Sequence, residues 1–230
     1  YNVRTARLYT DLSYLTADEE ITADMDGVFS HLASQNRPPK LRQLILAPFH
    51  LQRRMLEKID QVAQAASRGE DTRIVVKMNA LTDEALIRAL VRAGQCGVRI
   101  DLIVRGACML AAQVPGLTDN IRVRSVIGRF LEHTRVFYFR VAQQEDLYLS
   151  SADWMERNFF RRIEVSFPVL DPKLKRRVFK EGLQPYLADN TQAWEMNSQG
   201  NYLVKPTKRA RICAQERLLS TLQTLPINGL

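Results

Sequence analysis

Residues 73–104 constrain the fold more than any other stretch of the chain. The apolar run RIVVKM (73–78) is short enough for a buried strand, and VRIDLIV (98–104) returns to the same pattern. Between them Leu86, Ile87, Leu90 and Val91 recur on one helical face. Thr82 is expected to cap that helix, and Gly94 and Gly97 to close it. A strand, a helix and a strand in this order predict parallel neighbours joined by a right-handed crossover, and hence the α/β class.

The flanking sequence extends this reading. TARLYTDLSYL (5–15) suggests a strand entering the acidic turn Ala17-Asp18-Glu19-Glu20, with a helix over about 19–33. After the breaker Arg37-Pro38-Pro39-Lys40 comes the apolar run Leu44 to Ala47, stopped by Pro48. A helix over about 51–67 aligns Leu51, Met55, Ile59, Val62, Ala63 and Ala66 on one face and ends near Gly69. Further strands are expected at about 121–127, 134–141, 145–150 and 163–169, and helices at about 171–187 and 209–223. Residues 189–208 read as an irregular connection, and Trp154 and Trp194 as packing residues. No repeat, low-complexity tract or clear domain boundary stands out. The predicted architecture is a mixed, partly parallel sheet flanked by helices.

With 230 residues and 46% hydrophobic content the chain can bury a substantial core. No apolar stretch approaches the roughly 20 residues that span a bilayer. Cys96, Cys108 and Cys213 are odd in number and widely spaced, which suits reduced thiols in a cytoplasmic setting rather than a disulfide framework or zinc site. The net charge of +8 favours a polyanionic partner: nucleic acid, nucleotide, phospholipid headgroup or polyphosphate. The chain opens on Tyr1-Asn2-Val3 rather than methionine, so a piece of a longer polypeptide is expected.

His133 and Arg135 lie two apart in a strand pattern and must project from one face. An imidazole can accept or donate a proton or attack phosphorus, while a guanidinium neutralises phosphoryl oxygens. Taken alone, a strand histidine is more often a hydrogen-bonded structural group. The next strand delivers Ser150, Ser151, Ala152 and Asp153 near the place where a neighbour would end beside His133; an ordinary turn and helix cap before Trp154 is the alternative. Lys77 and Asn79, at the C-terminal end of a strand, are placed to face a ligand, because open α/β sheets bind there. Lys173, Lys175, Arg176 and Arg177, and Lys205, Lys208, Arg209 and Arg211, form either solvated faces or an electropositive approach for a polyanion.

This pairing is similar to the phospholipase D superfamily, in which a His-x-Lys strand is followed by a small polar stretch ending in Asn or Asp and two such halves face one another; here Arg135 replaces the lysine. The chain resembles the polyphosphate kinases more closely, through RTARLYTDLSYLTAD, IVRG, LEHTRV, YLSSADWMERNFFRRIE and KPTKRARICAQERL in order. That resemblance implies a nucleotide-stacking role for Tyr9, phosphate contacts for Arg105, an active-site histidine at His133 and another active-site arginine at Arg162. Thr134 and the Phe160-Arg161 pair depart from the family pattern.

The resemblance further implies that residues 1–35 end a first phospholipase-D-like catalytic domain and add a connecting helix, with 36–230 forming the second and closing on a basic C-terminal helix. The implied activity is reversible transfer of the terminal phosphate of ATP to inorganic polyphosphate, with ADP as co-product and magnesium as cofactor held mainly by residues elsewhere. The phosphorylated histidine is expected in an earlier His-x-Lys half, since His31 and His50 sit in unrelated contexts. Implied partners are ATP, ADP, polyphosphate, the remainder of the polypeptide and further copies in a homo-oligomer, in the cytoplasm with or without membrane association. The alternatives are a phosphodiesterase acting on nucleic acid or phospholipid, and a basic non-catalytic nucleic-acid-binding domain.

Overall fold

The computed structural model describes residues 2–34, 40–204, 206 and 208–223. Arg37, Pro38, Pro39 and Lys205, singled out above, lie outside them. The order is β1 (Tyr9–Thr10), α1 (Glu19–Ser34), β2 (Ile45–Ala47), α2 (Leu51–Ser67), β3 (Thr72–Met78), α3 (Glu84–Gln95), β4 (Arg99–Val104), β5 (Ile121–Val126) and β6 (Leu131–Glu132). Then follow β7 (Arg135–Val141), β8 (Gln144–Ser150), α4 (Glu156–Phe160), β9 (Glu164–Pro168), α5 (Pro172–Gly182), α6 (Gln184–Ala188), β10 (Ala193–Met196), β11 (Tyr202–Leu203) and α7 (Ala214–Gln223).

One sheet runs β11-β10-β5-β4-β3-β7-β8-β9-β2, and β1 pairs separately with β6. β3, β4 and β5 are parallel, as the strand-helix-strand pattern requires, whereas β7, β8 and β9 continue as antiparallel neighbours. The class is therefore α/β with a mixed sheet. Alternation along β3 divides the core. Ile74, Val76 and Met78 pack under α2 and α3 with Phe137, Phe139 and Trp154. Val75 faces the opposite layer with Tyr138, Leu183, Tyr186 and Ala214. Helix α2 buries Leu51, Met55, Ile59, Val62 and Ala63 as expected, each large side chain contributing about 1.5 to 3 kcal/mol.

Several details differ from the sequence reading. Only Tyr9–Thr10 of residues 5–15 is strand, and a 3₁₀ turn (Ala6–Leu8) precedes it. The cap of α3 is Asp83, not Thr82: its carboxylate accepts from the Leu86 N–H at 3.0 Å, satisfying a donor that no helical carbonyl reaches. Gly97 (φ +97°) provides the left-handed turn after α3, while Gly94 lies inside the helix, where a Cβ would come within 3.1 Å of Ile121. The stretch 189–208 contains β10 and β11. Asp189 organises the start of it, accepting from the N–H groups of Thr191, Gln192, Ala193 and Ala214. Trp154 is fully buried, but Trp194, on β10, is 43% exposed. Cys96, Cys108 and Cys213 are free thiols. No helix among the described residues is long and apolar enough to cross a membrane.

Candidate active site

The sheet topology gathers the candidate residues at one edge. β3 and β4 run the same way, so the residues that follow them, Asn79 and Arg105, emerge together. β7 is antiparallel to β3 and starts at that edge with Arg135; β8 is antiparallel to β7 and ends there, Ser150 lying opposite Arg135. Four strand ends separated in sequence thus deliver side chains to one place.

Asp153 is the hub. Its Oδ1 accepts from the Asn79 N–H at 2.7 Å and from Arg135 Nε at 3.2 Å, and its Oδ2 accepts from Arg135 Nη2 at 3.1 Å. This two-point ion pair is nearly shielded from solvent, with both side chains close to 12% exposed. Asn79 extends the line, its Oδ1 accepting from Arg105 Nε at 3.1 Å. Ser125 Oγ donates to the Arg105 carbonyl at 2.9 Å and steadies the backbone there. The helix-cap alternative for Asp153 is thereby set aside, because α4 begins at Glu156 with Met155 as its cap residue.

Beyond Arg135 stands His133. Arg135 Nη1 is 3.0 Å from Nε2 and 3.3 Å from Nδ1 of the imidazole. A nitrogen that close to both lies over the ring face, since an in-plane approach would collide with the carbon between them. Asp11 Oδ2 is 3.0 Å from Nδ1, which selects the tautomer carrying its proton on Nδ1 and the lone pair on Nε2. The Tyr9 ring meets the imidazole edge-on, centroids 5.0 Å apart. Tyr9 and Asp11 reach His133 because β1 pairs in parallel with β6, Tyr9 opposite Leu131 and Thr10 opposite Glu132.

Several recesses flank this line. One of about 380 Å³ is lined by Asp11, His133, Arg135, Ser150 and Ser151; another of about 370 Å³ is lined by Tyr9, Arg105, Ile127, Gly128 and Arg129. A larger cavity of about 520 Å³, lined by residues of β2 and α2, lies elsewhere. Its cations Arg53, Arg54 and Lys58 are already engaged by Glu57 and Asp146.

Ser151 Oγ donates to Glu164 Oε2 at 2.5 Å, and Asn158 Nδ2 donates to Glu164 Oε1 at 2.7 Å. Arg162 belongs to this branch: its Nη1 is 4.0 Å from Glu164 Oε1, and 54% of its side chain faces solvent. Ser150 Oγ accepts from the Ala152 N–H at 3.1 Å and shapes the turn.

Lys77 does not face a ligand at the strand end. It projects to the α6 side, 2% exposed, with Nζ 2.9 Å from Glu132 Oε2 and 4.4 Å from the Tyr186 ring centroid. Burial pulls its pKa down despite Glu132. Burial also pushes Glu132 upward, but the Lys77 ammonium, with donors from Gln215 and Thr10, holds it below the usual carboxylate range. Of the basic residues at α5, Lys175 is half-buried and donates to the Glu145 carbonyl at 2.6 Å, whereas Arg177 stays on the solvated face in a surface pair with Glu181.

Sequence reasoning missed Asp11 and Glu132, although both stand inside the quoted motifs ARLYTD and LEHTRV. Among the described residues no group of three or more His, Cys, Asp and Glu side chains could hold a metal ion. Asp11 and Asp153 are engaged by His133 and by Arg135 with Asn79. Magnesium commonly takes only one or two protein carboxylates beside substrate phosphates, and the two carboxylates of this line are already committed to His133 and to Arg135.

The family model for polyphosphate kinase C-terminal domain 2 matches residues 44–215, and that for C-terminal domain 1 matches residues 1–38. A polyphosphate kinase of Burkholderia cenocepacia (strain HI2424) is 50% identical over 220 residues, covering 96% of this chain and 32% of the relative. The crystal structure of polyphosphate kinase from Porphyromonas gingivalis superposes with a TM-score of 0.84 at 34% identity, over 90% of this chain and 32% of that one. A weaker likeness, TM-score 0.49 at 15% identity over 68% of this chain and 97% of the other, relates it to a phospholipase D family member from Salmonella typhimurium. The chain spans about a third of the length of the polyphosphate kinases it matches. With the C-terminal domain 2 model covering well over half of it, the chain belongs to the polyphosphate kinase family.

Proposed function

We propose that this chain supplies the nucleotide-binding and charge-neutralising part of an enzyme that moves the terminal phosphate of ATP to and from inorganic polyphosphate. The observation that supports this most is the connected line Arg105, Asn79, Asp153, Arg135, His133 and Asp11 at one sheet edge. Phosphoryl transfer asks a protein mainly for positioning and for cations placed where charge develops. Arg105 is held by Asn79 at the recess that Tyr9 also lines, so one wall offers a ring for the base and a guanidinium for phosphate oxygens.

The step balances as a displacement. The bond between the terminal phosphorus and the β,γ-bridging oxygen of ATP breaks, and ADP leaves with that electron pair. The phosphorus bonds to a histidine nitrogen carried by another part of the full-length polypeptide, and then to a terminal polyphosphate oxygen as the nitrogen recovers its pair. In this reading His133 meets the transferring group through Nε2, oriented by Asp11, while Arg105 and Arg162 neutralise phosphoryl oxygens and Arg135, held by Asp153, supports the imidazole. Magnesium belongs to the reading through residues outside this chain.

The test is polyphosphate formation from labelled ATP by the full-length protein, beside its His133→Ala variant. Formation by the parent and a loss of about 100-fold or more in the variant are expected. Cleavage of nucleic acid or phospholipid without ATP would replace this reading by the phosphodiesterase one. Salt-sensitive nucleic-acid binding that ignores His133, with no turnover, would replace it by a binding domain.

A further inference from the structure

Behind the site lies a buried ionic cluster that none of the roles above uses. Lys77 and Glu132 are 2% and 4% exposed, and they meet at 2.9 Å. Glu132 Oε2 also accepts from Thr10 Oγ1 at 2.8 Å, and its Oε1 accepts from Gln215 Nε2 at 2.7 Å. Gln215 goes on to clamp Phe130, accepting from its N–H at 3.0 Å and donating to its carbonyl at 2.9 Å. Tyr186 closes the cluster against the ammonium. Strand β3, the β1–β6 pair, α6 and α7 therefore converge on one carboxylate.

Its place in the chain matters more than its burial. Thr10 sits between Tyr9 and Asp11, and Glu132 immediately precedes His133. These two segments pair through strands of two residues each, 122 residues apart in sequence, and an isolated ladder that short has little stability of its own. Something else must set their register. A buried ion pair is a poor device for stability alone, since apolar residues of similar volume commonly serve as well, but it discriminates sharply between registers because a slipped partner leaves a bare charge.

We infer that Glu132, anchored by Lys77, is a positioning residue for the nucleotide site: through Thr10 and its own peptide neighbour it fixes Tyr9 and Asp11 against His133. The inference deepens the phosphotransfer reading and, for its kinetic consequence, rests on it.

The test uses the full-length protein with Glu132→Gln and Thr10→Val; the second leaves the Lys77–Glu132 pair in place should the first fold poorly. Asp146→Asn, which breaks the Lys58–Asp146 pair far from the site, serves as the control. Each is measured for melting temperature, for the ATP KM and kcat, and for modification of His133 by diethyl pyrocarbonate, with His31 and His50 as internal references. The clasp predicts that Glu132→Gln and Thr10→Val raise the ATP KM about fivefold to tenfold with a smaller change in kcat. His133 modification should speed up about threefold relative to His31 and His50, and the control should lower only the melting temperature. Folded variants whose His133 reactivity and KM match the control would overturn the inference and leave the cluster as packing. If the parent forms no polyphosphate, the phosphotransfer reading falls, while the histidine reactivities still decide the clasp.

Discussion

Arg135 lays its guanidinium over the imidazole of His133 while the other edge of the same fork grips Asp153 at two points. One planar cation thus joins the turn after β8 to the histidine before β7. A lysine, the residue expected here from the phospholipase D pattern, carries one compact charge and cannot do both.

Replacing Arg135 tests that geometry. Arg135→Ala strands Asp153 in a nearly buried position and should cost about 3 to 5 kcal/mol of stability. Arg135→Lys keeps the charge without the fork, and in the full-length protein it should lower turnover about tenfold with a smaller loss of stability, roughly 1 to 2 kcal/mol. Thermal melts beside polyphosphate formation check both. A lysine variant equal to the parent in both measurements would show that the fork is not used.

Arg105 and Arg162 should separate activity from stability. Each charged hydrogen bond to phosphate is worth roughly 1.5 to 3 kcal/mol, so either alanine variant should lose about tenfold to a hundredfold in turnover. Arg162 is largely exposed and Arg162→Ala should change stability by no more than about 0.5 kcal/mol. Near-normal turnover in both variants would remove them from the site.

The 230-residue chain by itself is expected to take up no acid-labile phosphate from labelled ATP. Of its histidines, His31 lies on α1 against Phe49 and His50 precedes α2, so His133 is the one brought to the candidate site. A single such half supplies the cations but not the second histidine that the transfer requires in this reading. Robust labelling of His133, located by peptide mapping, would overturn the division of roles.

Tyr9 can stack on a base or simply pack on His133. Base stacking is worth roughly 1 to 3 kcal/mol, so Tyr9→Ala should raise the ATP KM about fivefold or more, and Tyr9→Phe should stay near the parent because the ring face remains. Melting temperatures must be taken beside the kinetics. A Tyr9→Ala protein that melts earlier but keeps its ATP dependence would make Tyr9 a packing residue.

Glu132 predicts a particular acid sensitivity. Burial pushes its folded pKa up, but the charge and hydrogen bond of Lys77, together with donors from Gln215 and Thr10, hold it below the usual carboxylate range. A depressed carboxylate contributes stability that is present above its unfolded pKa and lost as pH falls through the folded one. The melting temperature of the parent should therefore fall more steeply than that of Glu132→Gln below about pH 5. Parallel curves in calorimetric scans at neutral and acid pH would show that the folded carboxylate is not ionised.

The elements with a local rhythm were legible from the residues. Helix α2 has the expected bounds, and β3, α3 and β4 follow the strand-helix-strand pattern. His133 and Arg135 do meet, but His133 falls in the break between β6 and β7 rather than on a strand, so alternation along one strand is not what brings them together. Apolar spacing is a short-range signal, and these elements answer to it directly. The two-residue strands β1 and β6, and β11 within a stretch read as irregular, have no period to detect.

By itself the sequence determined the α/β class, the family motifs and which side chains could carry phosphate chemistry. Tertiary structure alone decided that Asp153 would hold Arg135, that Asp11 would meet a histidine 122 residues away, and that Lys77 would turn inward to Glu132 instead of outward to a ligand. The reason is physical. A charge chooses its partner by distance and desolvation in the folded chain, and strand order and register set those distances rather than the spacing along the sequence.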